Sequence, residues 1–210
     1  MSEAELTSTA ISALANLLIA GAAIAAAIAA FLGLSTWKAQ NIWVADRDLA
    51  RALLKSIVKL DKTIASARSP MFWAGETAKY EGDALGTRRD ASDLAHYARL
   101  DSIHAVYQEI EALMIEAEAV WGDSISAEWK KLSSELSHFF AQTQLFLSWK
   151  AAGQPGFIDG YFGDEAGRQR NYAIVFVAPG EDETNAFSQA LIAATGDLKA
   201  KLRVKLGKPQ

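Results

Sequence analysis

The chain has 210 residues, a net charge of −4, an isoelectric point near 5.4 and no cysteine. A general nucleic-acid-binding domain is usually basic, so this acidic balance argues against a nucleic-acid partner. The absence of cysteine excludes cysteine proteases, zinc ribbons and thiol redox enzymes, and it fits a reducing compartment.

An uncharged stretch at residues 11–33 predicts a membrane-spanning helix. Ten of its 23 residues are Ala, and nine are Leu, Ile or Phe. At 1.5 Å per residue this length crosses a hydrocarbon core of about 30 Å. A secretion signal is one alternative, but it needs a basic segment before a shorter apolar core, and here Glu3 and Glu5 precede the stretch. A soluble hairpin helix is the other, but it would keep a wider polar face than Ser12 and Asn16 supply.

The charges that flank this stretch predict its orientation. The first basic residue of the chain is Lys38, and Arg47 and Arg51 follow it. Because flanks rich in Lys and Arg stay in the cytoplasm, we expect the N-terminus outside and the C-terminal part inside. Trp37, Lys38 and Trp43 come just after the apolar stretch, where an aromatic and basic belt would contact lipid headgroups.

These features divide the sequence into three predicted parts. They are a short extracytoplasmic tail at 1–10, a transmembrane helix at 11–34 and a cytoplasmic helical domain at 35–210.

Four amphipathic helices are predicted in the cytoplasmic part. The first continues from the span to Pro70, and its apolar stripe is Leu49, Leu53, Ile57, Leu60 and Ile64. The second runs from Ser92 to Trp121, the third begins with an N-cap at Ser126, and the last runs from Glu183 to Leu206. Their stripes include Leu136 in the third helix and Leu198 in the last.

A long irregular segment at 153–182 separates the third and last helices. The sequence YAIVFVA at 172–178 is rich in β-branched residues and predicts either a short strand or an extended segment lying on the helices. The predicted fold class is therefore all-α: a transmembrane helix continues into an antiparallel four-helix bundle, which carries one irregular loop.

Two carboxylate–histidine pairs raise the question of a carboxylate-bridged di-metal site. Asp101 and His104, like Glu135 and His138, are three residues apart and share a helix face. The pairs lie on consecutive helices, one has Asp in place of the usual Glu, and the first and last helices offer no obvious partner. We interpret them as ordinary polar residues and expect no metal, no cofactor and no catalytic residue.

Small residues recur every four positions within the apolar stretch, at Gly21, Ala25, Ala29 and Gly33. Such a ladder permits two membrane helices to approach closely, which predicts self-association. A stretch with ten Ala also produces such a ladder by chance, so both interpretations stay open.

Two segments carry a resemblance to known proteins: TWKAQ…DLARALLKSIVKLDKTIASARSP, and IVFVAPGEDETNAFSQALIAATGDLKAKL near the C-terminus. Together they resemble a group of uncharacterised bacterial single-pass membrane proteins. The resemblance implies a bacterial inner-membrane protein with a cytoplasmic helical domain. It implies no activity and assigns no functional residue.

Three functions follow from these expectations. The leading hypothesis is a membrane-anchored interaction or structural module without catalysis of its own. The second is a sensor or regulatory bundle that binds a ligand beneath the loop at 153–180, and the third and most distant is a di-metal protein. The expected partners are membrane lipid, a protein of unknown identity and a second copy of the chain.

Overall fold

In the computed structural model, the described residues are 3–80, 90–151, 164–177 and 184–207. They form five α-helices and one short 3-10 helix, and no strand occurs among them. The helices are α1 (Glu3–Arg68), α2 (Ala91–Trp121), α3 (Asp123–Ala151), α4 (Glu165–Val175) and α5 (Ala186–Lys205), with the 3-10 helix at Ala74–Tyr80. The all-α class and the long apolar N-terminal helix are confirmed.

The chain divides into two units near residue 46, and the hydrophobic core belongs to the second, from Arg47 to Lys208. Helices α1, α2, α3 and α5 each contribute a stripe of buried apolar side chains, mostly at intervals of three or four residues. The predicted interior positions Leu53, Ile57, Leu136 and Leu198 are all fully buried.

Polar contacts show the relative directions of neighbouring helices in this unit. Ser56 of α1 contacts Glu109 of α2, whereas Ala67, eleven residues later, contacts Arg99. Residue numbers therefore rise along α1 as they fall along α2. The same reversal joins α2 to α3, since Asp93 contacts Lys150 and Tyr107 contacts Ser133.

A single residue connects α2 to α3. Gly122 has φ of +69° and its N–H donates to the carbonyl of Glu118, which ends α2. Glycine adopts this left-handed region without the steric cost that a side chain would add. Helix α3 then begins at Asp123, so the predicted N-cap at Ser126 was wrong; Ser126 is buried within the first turn.

Helix α4 occupies the first part of the stretch 172–178, for which the sequence predicted either a short strand or an extended segment. Residues 172–175 are its last turn, and the two residues that follow are not helical. Asp164 caps the start of α4 by accepting from the N–H of Gly167. The hydrophobic pattern hid this helix because its buried face consists of Gly167, Asn171 and Val175, of which only Val175 is strongly apolar. Residues 152–163 and 178–183 lie outside the described part of the chain.

Helix α5 begins three residues later than predicted. Its N-cap is Asn185, whose side-chain oxygen accepts from the N–H of Ser188 at 2.9 Å. Helix α1 ends at Arg68, two residues before Pro70, as predicted.

The core assignment predicts the effect of truncating single side chains. We expect Leu53→Ala and Leu136→Ala each to lower the free energy of unfolding by about 2–5 kcal/mol, because each leaves a cavity in a packed core. Denaturant unfolding of the full chain in detergent, followed by tryptophan fluorescence, measures this change.

Ile115→Ala is the matched control, because Ile115 is 73% exposed on α2. We expect it to change the free energy of unfolding by less than about 0.5 kcal/mol. A core variant with a change that small would contradict the packing described for its helix.

Candidate binding grooves beside helix α1

An open groove of about 970 Å³ lies between α1 and α2 in the second unit. We call it the α1–α2 groove. Short side chains leave this space unfilled: Thr63 and Ser66 on α1 face Ala98 and Ser102 on α2. The longer residues that line it are Lys55, Val58, Lys59, Lys62, Trp73, Glu76, Arg99 and Glu109.

The α1–α2 groove is cationic although the whole chain is acidic. Its lining holds four basic and two acidic side chains, whereas the chain carries a net charge of −4. Lys59 Nζ donates to Glu109 at 2.8 Å, and Ser56 Oγ donates to the same carboxylate at 2.7 Å. These bonds, together with the nearby Lys55, lower the pKa of Glu109. In the part of the chain that the structure describes, neither Lys55 nor Lys62 is within ion-pair distance of a carboxylate.

The buried Arg99 closes one end of this groove. Its guanidinium bonds both carboxylate oxygens of Glu76, at 2.6 and 3.0 Å, and stacks over the ring of Phe72 at 4.7 Å. It also donates to the carbonyls of Ala67 and Ser69, at 3.3 and 2.6 Å, and to that of Met71. Carbonyls at the end of a helix have no partner within the helix, so Arg99 acts as a side-chain cap of α1.

Arg99 also sets the ionisation of Glu76. Burial alone would raise the pKa of this carboxyl, but the hydrogen bonds from Arg99 and from the Trp73 N–H, together with the positive charge of Arg99, outweigh burial and lower it. Glu76 is therefore held as a carboxylate, and it also accepts from the N–H of Trp73 at 3.1 Å. The 3-10 helix is fixed to α2 by this pair of opposite charges.

A second, smaller groove of about 340 Å³ lies between α1 and α5. Its floor is apolar, with Ile64 on α1 and Leu191 on α5. An ion pair between Asp61 and Lys199 crosses it, and the buried Arg68 lies among its lining.

Arg68 joins three elements. It donates to the carbonyls of Ala173 and Ile174 at 3.0 and 2.9 Å, and to Ser188 Oγ at 2.7 Å. Its guanidinium lies over the ring of Phe187 at 5.0 Å. The two carbonyls belong to the last turn of α4, so the guanidinium of Arg68 caps α4. Its positive charge also interacts favourably with the negative, C-terminal end of that helix dipole.

The buried His96 lies within a cluster of aromatic rings. Its ring packs edge-on against Phe72, Phe146 and Phe176, with centroids 5.1 to 5.7 Å apart. Burial disfavours the charged imidazole, and Arg99 and Lys150 add repulsion, so the pKa of His96 falls from 6.5 to about 4. The residue is neutral at physiological pH and serves as a core aromatic.

The residues of the two carboxylate–histidine pairs occupy separate environments. His104 bonds Gln108 at 2.9 Å and packs beside Phe140, whereas His138 packs beside Phe187. Asp101 accepts from Tyr80 Oη at 2.9 Å. Within the described residues no three His, Asp or Glu side chains gather as a metal would require. The di-metal interpretation therefore has no site in that part of the chain.

Residues singled out in and after the apolar stretch are mostly exposed. A Cβ added at Gly21 or Gly33 would meet no atom within 4 Å, and Ala25 and Ala29 are exposed. This leaves the small-residue ladder open to solvent, lipid or a second helix. Of the predicted interface residues, Trp37 and Lys38 are exposed and Trp43 is half-buried.

Sequence patterns did not identify the grooves. Lys55, Lys59 and Lys62 occupy the polar face of an amphipathic helix, which usually indicates simple solvation. Arg99 is a charged residue, and hydrophobic periodicity does not assign such a residue to the interior. The sequence held one indirect indication of the role of Arg99. A helix that ends before Pro70 leaves carbonyls without partners, and these need hydrogen-bond donors from elsewhere in the chain.

Comparison with protein-family models, curated proteins and solved structures finds no match to this chain. The grooves and the exposed apolar helix are therefore the features from which a function is inferred.

The burial of His96 predicts a pH dependence of stability. Its pKa of about 4 in the folded state lies below the unfolded value of 6.5, so the unfolded state takes up the proton first. The free energy of unfolding should therefore fall by about 2 kcal/mol between pH 7 and pH 5, an interval that lies above the ordinary pKa values of Asp and Glu. Denaturant midpoints at the two pH values measure the loss.

His96→Leu should abolish most of this difference, because it removes the titrating group. His104→Leu removes an imidazole at an exposed position of α2 and is the matched control for loss of a histidine. An equal pH dependence in the His96→Leu variant would contradict the assignment.

Proposed function

We propose that this protein is a membrane-anchored helical interaction module without catalysis of its own. The observation that carries the proposal is the exposure of the apolar part of α1. Ile11, Leu17 and Phe31 are each at least 65% exposed, and α1 is long and apolar enough to cross a membrane by length and composition. Contiguous apolar surface of this size is rarely left in water, so it needs a cover.

Lipid is the cover that fits this surface best. The exposed residues encircle the helix over residues 11–34, rather than forming the single stripe expected for packing against one protein. A helix that is hydrophobic all round and about 20 residues long matches a bilayer core. We therefore propose that residues 11–34 span the membrane, with 1–10 as an extracytoplasmic tail and 35–210 as the cytoplasmic domain.

The proposed membrane is the bacterial inner membrane, and the proposed orientation has the N-terminus outside. The resemblance to bacterial single-pass proteins supports the membrane, and the basic flank at Lys38, Arg47 and Arg51 supports the orientation. Trp37, Lys38 and Trp43 would then contact headgroups. Self-association of the span through Gly21, Ala25, Ala29 and Gly33 belongs to the same proposal.

For the cytoplasmic domain we propose an antiparallel four-helix bundle of α1, α2, α3 and α5. The reversed pairings of α1 with α2 and of α2 with α3 support it. So do the contacts of α5, since Lys199 pairs with Asp61 while Ser188, eleven residues earlier, contacts Arg68. The α1–α2 groove lies outside the core of this bundle and gives it a surface for a partner.

A ligand-binding sensor is the second candidate. The α1–α5 groove favours it, because an apolar floor with a few polar groups at its edge is typical of small-molecule sites. A thermal shift of the full chain by one member of a metabolite panel, lost in Leu191→Trp, would favour this function over the first.

Membrane integration tests the leading proposal. The full chain, fused after Gln210 to a fluorescent protein that matures only in the cytoplasm, should fluoresce and resist alkaline extraction from bacterial membranes. Leu18→Lys with Ile24→Lys should release it, because two central lysines cost about 5–7 kcal/mol of insertion and outweigh the apolar contribution.

Ile115→Lys with Val120→Lys is the matched control, since it adds the same charges at exposed positions of α2 and should leave the chain in the membrane. Release of the unmodified chain by alkali would contradict the anchor. Activity of a periplasmic phosphatase fused after Gln210 would contradict the orientation.

A further inference from the structure

We infer that the α1–α2 groove binds an acidic amphipathic helix of a partner protein. This inference rests on the proposed role as an interaction module, and it names the surface and the chemistry of the partner. Three features support it: the charge of the groove, the spacing of its lysines and its exposed apolar residues.

The lysines define a linear cationic edge. Lys55, Lys59 and Lys62 lie four and three residues apart on one face of α1, so they extend over about 10 Å of the helix. Lys59 already pairs with Glu109, whereas no carboxylate of the described residues lies within ion-pair distance of Lys55 or Lys62. A second helix with carboxylates four and three residues apart would match this spacing along its own axis.

Exposed apolar residues provide the second half of the surface. Val58 is 40% exposed between the lysines, and Trp73 at the end of the groove is 70% exposed. Trp is among the residues that most often dominate binding energy at protein interfaces. An occupant with an apolar stripe beside its acidic stripe would cover both residues, as amphipathic helices do in apolar grooves.

The form of the groove favours a helix over a small anion. It is open along one side and about 970 Å³ in volume, near the upper end of the range for small-molecule pockets. Its charges are spread along a helix rather than converging on one point, as a phosphate site would require. Arg99, the most buried of the four basic residues that line the groove, already donates to Glu76 and to backbone carbonyls.

The test uses the full chain in detergent and a labelled 18-residue probe peptide. The peptide carries Glu at positions i, i+4 and i+7 of one stripe and Leu on the adjacent stripe, and binding is followed by fluorescence anisotropy. Lys55→Glu with Lys62→Glu should weaken binding about tenfold, because each lost and reversed exposed pair changes affinity by a few-fold. Trp73→Ala should weaken it by a similar factor, independently of salt.

The matched control is Lys130→Glu with Arg170→Glu. It changes the net charge by the same amount at exposed positions on α3 and α4, and it should bind within twofold of the unmodified chain. Circular dichroism checks that both double variants keep their helix content. The same peptide with Gln in place of Glu should bind at least fivefold more weakly.

Three results would overturn the inference: binding by the groove variant within twofold of the unmodified chain, an equal loss in the control variant, or equal binding of the Gln peptide. Displacement of the Glu peptide by vesicles of anionic lipid, in a manner that needs Lys55 and Lys62, would assign the groove to lipid and would also overturn it. Membrane integration is measured separately, so failure of the anchor and failure of the groove remain distinguishable.

Discussion

Two buried guanidinium groups hold the second unit together at the end of α1. Arg99 reaches from α2 to the carbonyls of Ala67 and Ser69, and Arg68 reaches from α1 to the last carbonyls of α4. Each satisfies acceptors that a helix end leaves without partners, and each also stacks on an aromatic ring, Phe72 or Phe187. Burying these charges is costly, and the cost is offset only because nearly every donor finds an acceptor.

The α1–α2 groove depends on this arrangement. Arg99 fixes Glu76, and with it the 3-10 helix that places Trp73 at the end of the groove. The short residues Ala98 and Ser102 then keep α2 from filling the space beside the α1 lysines. Helix α1 thus directs aliphatic residues such as Leu53 and Ile57 into the core and its lysines into the open groove. The N-terminal part of α1 exposes an apolar surface suited to lipid. The proposed role as a membrane-anchored interaction module would use each of these surfaces.

The elements with strong periodicity could be predicted from sequence, and those built on polar contacts could not. The stripe of α1, the end of α2 at Trp121 and the end of α1 before Pro70 follow from hydrophobic spacing and backbone chemistry. Helix α4 was not predicted because Gly167 and Asn171, which are not apolar, occupy its buried face. Asn171 is held there by a hydrogen bond to the Gln142 carbonyl, and no local sequence pattern encodes this contact. The groove was not predicted for a similar reason. Its lysines have the sequence pattern of a solvent-exposed helix face, and they line a groove only because α2 packs beside them.

The central claim, that Arg99 organises the end of α1 and the groove beside it, is tested most directly by hydrogen–deuterium exchange of the full chain in lipid nanodiscs. In Arg99→Met the amides from Ser66 to Tyr80 should exchange at least tenfold faster, because Glu76 and three carbonyls lose their donor. Arg51→Met, which removes an exposed guanidinium from α1, should leave these amides unchanged. Exchange in Arg99→Met that equals the unmodified chain, or an equal acceleration in Arg51→Met, would contradict the account.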